Sequence, residues 1–360
     1  MKIEDILRLR LANQQISRTD LKTPGELVAW FGAMQAQDYL NSKWAIGLRL
    51  KNSDEADIEQ AIANKTIVRT WPMRGTLHYV SPENVRWMLE LLTPRVIARA
   101  ANIYKLAGLD KKIFLKSKKI IVRILESGRQ LTRNEIYHEL EKVGISTASQ
   151  RGLHILGKLA QESLICLGPR KGKQPTFTLL DEWLPPTKKL NHDEAIAKLT
   201  RLYFKSHGPA TVQDFAWWSG LTVTDIKQGL EMVKPELNGE LVHGQTYWME
   251  NRRSEIKNKS TAAYLLPNFD EYLVAYKDRS LTTKGKNEDQ LKATGNDFFN
   301  PSIIIDARVA GSWQREFLKD KVTIRIKLLN SVSERHKRSL IAEAHRYAGF
   351  LKLSPVLLFK

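Results

Sequence analysis

The sequence predicts an α+β fold, mainly α, and two observations carry that expectation. An order of three helices followed by a short hairpin occurs three times along the chain, and from Ala262 onward the texture changes to short strand-like runs closed by one helix. Three helix-rich units in tandem and a small β-rich carboxy-terminal domain follow, with expected bounds of 1–110, 111–186, 187–258 and 259–360.

The middle unit is the clearest. Ile113, Ile120, Ile121, Ile124 and Leu125 recur at helical spacing and end near Gly128. Thr132 is followed three residues later by Glu135, a capping box that starts a helix over 135–143, and Gly144 breaks it. A second helix is expected over 146–161, with Leu153, Leu156, Leu159 and Ala160 on its apolar side. Residues 163–167 and 176–180 read as strands around a turn that carries Arg170, Lys171 and Lys173. Helix, helix, helix and a basic-tipped hairpin is the order of a winged helix.

The other passes repeat that order. After the middle unit, a helix over 194–204 stops at Gly208-Pro209, and Thr211 caps 213–218. Gly220 turns the chain, Thr222 or Thr224 starts a helix through Leu230, and Leu241-Val242 with Tyr247-Trp248-Met249 supplies a hairpin. The first unit reads as helices over 3–13, 23–34 and 55–63, then strands at 68–71 and 76–80 around Gly75. A helical segment over 82–109, interrupted at Pro94, links it to the middle unit, and Pro185-Pro186 marks the next boundary. Toward the end, strands are expected at 264–267, 302–309, 313–317 and 321–328, then a helix over 333–347. Alternation puts Arg325 and Lys327 on one strand face and Ile324, Ile326 and Leu328 on the other.

Lysine plus arginine total 57 against 39 aspartate plus glutamate, a formal charge of +18. Such an excess attracts polyanions. Nucleic acid is the first reading, with an anionic membrane, an acidic partner or solubility as the others; the basic residues lie within folded segments, which favours a folded binding surface, and the winged-helix order points to double-stranded DNA ahead of RNA. The amino terminus opens a helical pattern instead of a signal peptide, and no run approaches the 18 apolar residues of a membrane span. The lone cysteine, Cys166, sits in an apolar run and reads as core, and the eight histidines form no short-range ligand cluster. No Walker A motif occurs. The expectation is a cytoplasmic, nucleoid-associated monomer with no metal, no cofactor, no membrane contact and no obligate protein partner.

Gln150, Arg151, His154 and Lys158 recur along the second helix of the middle unit and are candidate DNA contacts; the alternative is that this helix packs between neighbours. Arg170, Lys171 and Lys173 on the wing are candidate phosphate contacts, as is Arg95 on the linking segment.

Ala33-Met34-Gln35-Ala36-Gln37-Asp38 and the run from Val68 through Thr70-Trp71-Pro72-Met73-Arg74-Gly75-Thr76-Leu77 to His78 resemble the tandem winged-helix DNA glycosylases. That family includes the azinomycin-resistance and interstrand-crosslink-unhooking enzymes. The resemblance continues through 82–87 and 93–95, and returns at Leu266–Tyr272, Asp278-Arg279-Ser280 and Ile305–Trp313, so it spans nearly the whole chain. It implies a C-shaped stack of three winged helices with a basic concave face, and hydrolysis of the N-glycosidic bond of an alkylated purine. It also implies a lesion reached from outside the base stack, whereas ordinary base-excision enzymes extrude the base, and the sequence alone does not choose between the two routes. The family's catalytic motif falls on Gln35-Ala36-Gln37, and the Gln-any-Gln form is similar to the azinomycin-resistance branch. Asp38 comes one place later than the aspartate of the other branch, and Ala307 stands where a glycine is expected. Asp38, Arg69, Arg74, Thr76, His78 and Arg308 are thereby site-supporting or DNA-binding candidates. On a regular helix Gln35 and Gln37 would point about 200° apart, so convergence on one water requires a bend there. The plainer alternative is that Gln35, Gln37 and Asp38 are helix-end residues that cap backbone or touch phosphate. Tyr39 and Trp44 are either wedges at the lesion or core.

Overall fold

The computed structural model describes residues 1–251, 262–283 and 300–359. The expected boundary at 258–259 lies outside the described residues. The fold is mixed α+β, mainly helical with a β-rich carboxy-terminal sheet, and its contacts divide into two compact units. One unit comprises Met1–Phe31, Gln35–Ile58 and Ala197–Lys360; the other comprises Gly32–Met34 and Glu59–Ile196.

The second of these carries the middle winged helix. Helices α1 (Ile3–Asn13), α2 (Pro24–Phe31), α3 (Tyr39–Gly47), α4 (Glu55–Ala63), α5 (Pro82–Arg99) and α6 (Ala101–Leu106) precede its own α7 (Lys111–Leu125), α8 (Arg133–Lys142) and α9 (Arg151–Gln161). Its sheet takes β1 (Ala33–Gln35), β2 (Val68–Met73), β3 (Thr76–Val80), β4 (Leu131–Thr132), β5 (Ile165–Lys171) and β6 (Gln174–Leu179) in the order β1-β3-β2-β5-β6-β4. The hairpin of the first pass and the wing of the middle pass are therefore strands of one sheet, joined where Arg69 pairs Leu167. Phe114, Ile121 and Leu125 from α7, Ile136 and Leu140 from α8, and Ile155, Leu156 and Leu159 from α9 close on Leu167 and Phe177 as one core. The capping box forms as its spacing requires: Thr132 Oγ1 accepts from Glu135 N at 3.3 Å and Glu135 Oε2 accepts from Thr132 N at 2.7 Å. Thr132→Ala should lower stability by about 1 kcal/mol, read as a shift in the urea midpoint without a change in slope.

Several expectations need correction. The helix expected over 23–34 stops at Phe31, because Gly32 turns to φ +78° and Ala33–Gln35 become an edge strand. The second middle helix starts at Arg151, not Ser146, since Ser149 and Gln150 both take left-handed backbone. Its buried face is Ile155, Leu156, Leu159 and Ala160, while Leu153 is exposed. Pro94 does not interrupt α5, where Thr93 Oγ1 donates to Leu89 O at 2.7 Å one turn back. Cys166 is fully buried, which pushes its thiol pKa up.

In the other unit α11 (His192–His207), α12 (Val212–Ser219) and α13 (Val223–Val233) follow α10 (Leu180–Trp183), and the hairpin β7 (Leu237–Val242) with β8 (Gln245–Glu250) completes the pass. Thr211 with Asp214 and Thr222 with Asp225 make capping boxes. The carboxy-terminal sheet takes β9 (Ala263–Leu266), β10 (Ser302–Ile305), β11 (Arg308–Leu318), β12 (Lys321–Leu328) and β13 (Ser354–Phe359) in the order β13-β12-β11-β10-β9. Helices α14 (Glu271–Val274) and α15 (Ser280–Thr283) intervene, and α16 (Glu334–Phe350) supplies the crossover that parallel β12 and β13 require. Strand β13 escaped the sequence reading, and 302–309 is two strands joined by a tight turn at Asp306-Ala307. Both turn residues have positive φ, so alanine here takes the backbone shape for which glycine was expected. Ile324 and Ile326 are buried, as alternation predicts.

Candidate active site

The Gln35-Ala36-Gln37 motif is not helical. Gln35 ends β1, Ala36 is buried beneath the bend, and Gln37 is exposed. The Gln35 side chain reaches forward along the chain, and its Oε1 accepts from Gln37 N at 2.6 Å. Asp38 caps α3, accepting from Asn41 N at 3.1 Å and Asn41 Nδ2 at 2.6 Å. Chain direction therefore reverses character within four residues: edge strand, bend, capped helix.

Behind the motif lies a buried polar lattice. Glu271 Oε1 accepts from Gln35 N at 2.7 Å, and Glu271 Oε2 accepts from Trp218 Nε1 at 3.1 Å. His207 Nε2 stands 3.4 Å from the same oxygen, with the imidazole stacked on Tyr203. Next to Glu271, Asp270 takes two hydrogen bonds from Arg49, each 2.8 Å, with both side chains wholly buried. Arg49 also donates to Gln14 O at 2.9 Å and Ala45 O at 2.8 Å. Gln14 donates to Tyr276 OH, and Tyr276 OH donates to His207 O at 2.7 Å, so the lattice closes on itself. Buried charge of this kind persists only when paired and fully hydrogen-bonded.

Burial pushes the His207 pKa below its ordinary 6.5, against the upward pull of Glu271. A base whose folded pKa is depressed binds protons first in the unfolded state. Its contribution to stability is complete above pH 6.5 and is lost as pH falls below that value toward the folded pKa. The urea midpoint of the wild type should therefore fall between pH 7 and pH 5.5 more steeply than that of His207→Gln; equal slopes would show that His207 is not the responsible group.

Glu271, His207 and Trp218 were missed as site residues by the sequence reading. Glu271 lies in the run from Leu266 to Tyr272, and a carboxylate between Phe269 and the apolar Tyr272-Leu273-Val274 is the only signal for it. Trp44 is core: it is buried, donates to Leu265 O at 2.7 Å and packs on Tyr347 and Phe350. Tyr39 is half-buried, with Lys43 over its ring.

Arg74, Thr76 and His78 come together in the other unit. Arg74 belongs to the turn, with φ +54°, and β3 starts at Thr76. His78 Nδ1 lies 3.0 Å from Thr76 O, and Arg74 Nη2 lies 3.4 Å from His78 Nε2. The tautomer protonated at Nδ1 satisfies both contacts. Arg69 is buried in β2, and Arg308 is held by Leu281 O at 2.6 Å and Glu4 at 3.3 Å.

On α9 the candidates separate. Gln150 is exposed, whereas Arg151 donates to Ser146 O at 3.0 Å and to Ala107 O, His154 meets Tyr104 edge-on, and Lys158 pairs Glu162 beside the Phe114 ring. Three of the four are thus engaged inside their own unit. At the wing, Arg170 donates to Lys173 O and Lys171 pairs Glu135 at 2.9 Å, which holds that carboxyl down at about 2. Arg95 is exposed on α5. Among the described residues there is no group of three or more potential metal ligands, and no helix is long and apolar enough to cross a membrane.

Comparison with known proteins agrees with this organisation. The chain is 24% identical over 320 residues to the interstrand DNA cross-link repair glycosylase of Streptomyces sahachiroi, covering 85% of each chain. The solved structure of the Streptomyces sahachiroi DNA glycosylase AlkZ shares the fold, with a TM-score of 0.80 at 20% identity across 99% of this chain and 100% of that one. The AlkZ-like DNA glycosylase family matches residues 28–350. With that match running from α2 to the end of α16, the chain belongs to the AlkZ-like DNA glycosylase family.

Proposed function

We propose that this protein hydrolyses the N-glycosidic bond of alkylated purines in duplex DNA, with Gln35 and Gln37 as the catalytic residues. The observation that carries the reading is the bend at the motif: Gln35, anchored by Glu271, folds over the Gln37 backbone instead of diverging from it on a helix. An N7-alkylguanine or N3-alkyladenine already carries positive charge. When its bond to C1′ breaks, the electron pair neutralises the base, so no strong general acid is needed. Water must then be held beneath C1′, where its oxygen forms the new bond and its proton passes to solvent. Carboxamide oxygens can accept from that water and turn their dipoles toward the oxocarbenium-like sugar.

Each within its own unit, Asp38, Arg69 and Arg308 hold structure, and Arg74, Thr76 and His78 are assigned to the DNA path. Gln150, Arg95, Arg170, Lys171 and Lys173 are the candidates for contact with the duplex itself; Arg151, His154 and Lys158 would have to exchange their present partners to reach it. No cofactor enters this chemistry.

Base release from a duplex containing 7-methylguanine tests the assignment. Enzyme-dependent abasic sites, lost in Gln35→Ala or Gln37→Ala while duplex binding persists, are the expected result. Tight binding confined to one short operator, with no base release, would instead identify a noncatalytic DNA-binding protein. Because the Streptomyces sahachiroi relative is named for interstrand cross-link repair, a cross-linked duplex is the second substrate in the same assay.

A further inference from the structure

We infer that the outward face of α7 is a duplex-DNA docking surface, and that the middle winged helix meets the phosphate backbone through this opening helix and not through α9. The inference rests on DNA as the partner but not on base release. Between Lys111 and Leu125 the helix carries Lys111, Lys112, Lys116, Lys118, Lys119 and Arg123 and no acidic residue. Its opposite face, from Phe114 through Ser117, Ile120, Ile121 and Ile124 to Leu125, is buried in the core, so these cations are held outward. Lys112, Lys116, Lys119 and Arg123 follow one another at steps of four, three and four residues, which makes a single stripe. The stripe is about 16 Å long, and the same length of duplex carries roughly ten phosphates.

Local physics disfavours this arrangement. Lys111 and Lys112 sit in the first turn, where the helix dipole repels cations, and Lys112 with Lys116 and Lys119 with Arg123 are like-charged at i, i+4. Some exposed helical lysines elsewhere are matched within a turn, as in Lys142 with Glu139 and Lys337 with Glu334. On α7, Lys116 donates to Val143 O, and among the described residues Lys111, Lys112, Lys118 and Lys119 make no ion pair. Asp110 is occupied at the cap, accepting from Ile113 N, and Glu139, held below its ordinary range first by Lys142 and least by Arg123, is already paired with Lys142. A face that repels itself in the free protein is complementary to a polyanion. On α9, by contrast, Arg151, His154 and Lys158 are already engaged with Ala107, Tyr104 and Glu162.

The test uses the full chain and an undamaged duplex, so it is independent of catalysis. Lys111→Gln, Lys112→Gln, Lys118→Gln and Lys119→Gln are combined in one variant. A control carries Lys319→Gln, Lys321→Gln, Lys327→Gln and Arg338→Gln, removing the same charge from the other unit. Circular dichroism checks that both variants keep their helix content. Binding is measured against salt, where each lost phosphate contact flattens the log-log slope by about 0.9. The α7 variant should lose roughly 3 to 4 from that slope and at least about tenfold in affinity at physiological salt, while the control keeps most of its slope. An unchanged slope, or an equal loss in both variants, overturns the inference. Loss of co-sedimentation with phosphatidylserine vesicles by the α7 variant, with its DNA slope intact, would also overturn it by making the face a membrane surface.

Discussion

Replacing Asp270 with alanine should lower the stability of the folded chain by about 3–5 kcal/mol, the range for stranding a buried charge whose partner has been removed. Arg49 is wholly buried, and its two 2.8 Å contacts to Asp270 supply its charge compensation. Its remaining hydrogen bonds go to Gln14 and Ala45 and leave its charge unbalanced once the carboxylate is gone. The loss is a large part of a typical margin of 5–15 kcal/mol. Urea denaturation of Asp270→Ala, Arg49→Met and the double variant measures it. The two single losses should be markedly sub-additive, because the second substitution removes a group that the first already stranded. Additive losses would mean that the pair is not coupled as the geometry requires.

Gln37→Ala and Gln35→Ala should each slow base release by about 10²–10³-fold, the range for removing one preorganised polar group from a site of developing charge. Affinity for the same duplex should hold within about threefold, since both amides are assigned to the water and the sugar and not to phosphate. A fall in affinity that accounts for the whole loss of rate would move both residues from catalysis to binding. Glu271→Gln is the informative companion. Its carboxamide must turn an NH2 group toward either the Gln35 N–H or the Trp218 indole N–H, so one of those donors loses its acceptor. Activity should fall part of the way, with stability falling alongside.

Where structure is set locally, the sequence was readable. Thr132 with Glu135 signals a helix start because both partners of the capping box lie within one turn, and the box forms at that position. The same holds for Thr211 and Thr222. Strand β1 was not readable, because Ala33-Met34-Gln35 continues the apolar texture of α2 and only the backbone of Gly32 marks the change. Strand β13 is defined by pairing, from Lys321 with Ser354 to Ile326 with Phe359, and its mostly exposed side chains give no alternation to detect. The motif itself could be picked out by resemblance, but its anchor could not. Glu271 is 236 residues from Gln35, and no periodicity links the two. Nor does the spacing of Arg151, His154 and Lys158 reveal that Ala107, Tyr104 and Glu162 already engage them.

The Gln35 to Glu271 contact also sets a schedule for biosynthesis. Residues 59–196, the bulk of one compact unit, form an unbroken stretch of chain, whereas the other unit draws on both ends. A ribosome adding about 5–20 residues per second has Gln35 waiting roughly 10–50 s before its carboxylate anchor exists. During that interval the lysine face of α7 is already made while the glutamine motif has no support behind it. The basic face of α7 is thus synthesised ahead of the carboxylate that supports the glutamine motif.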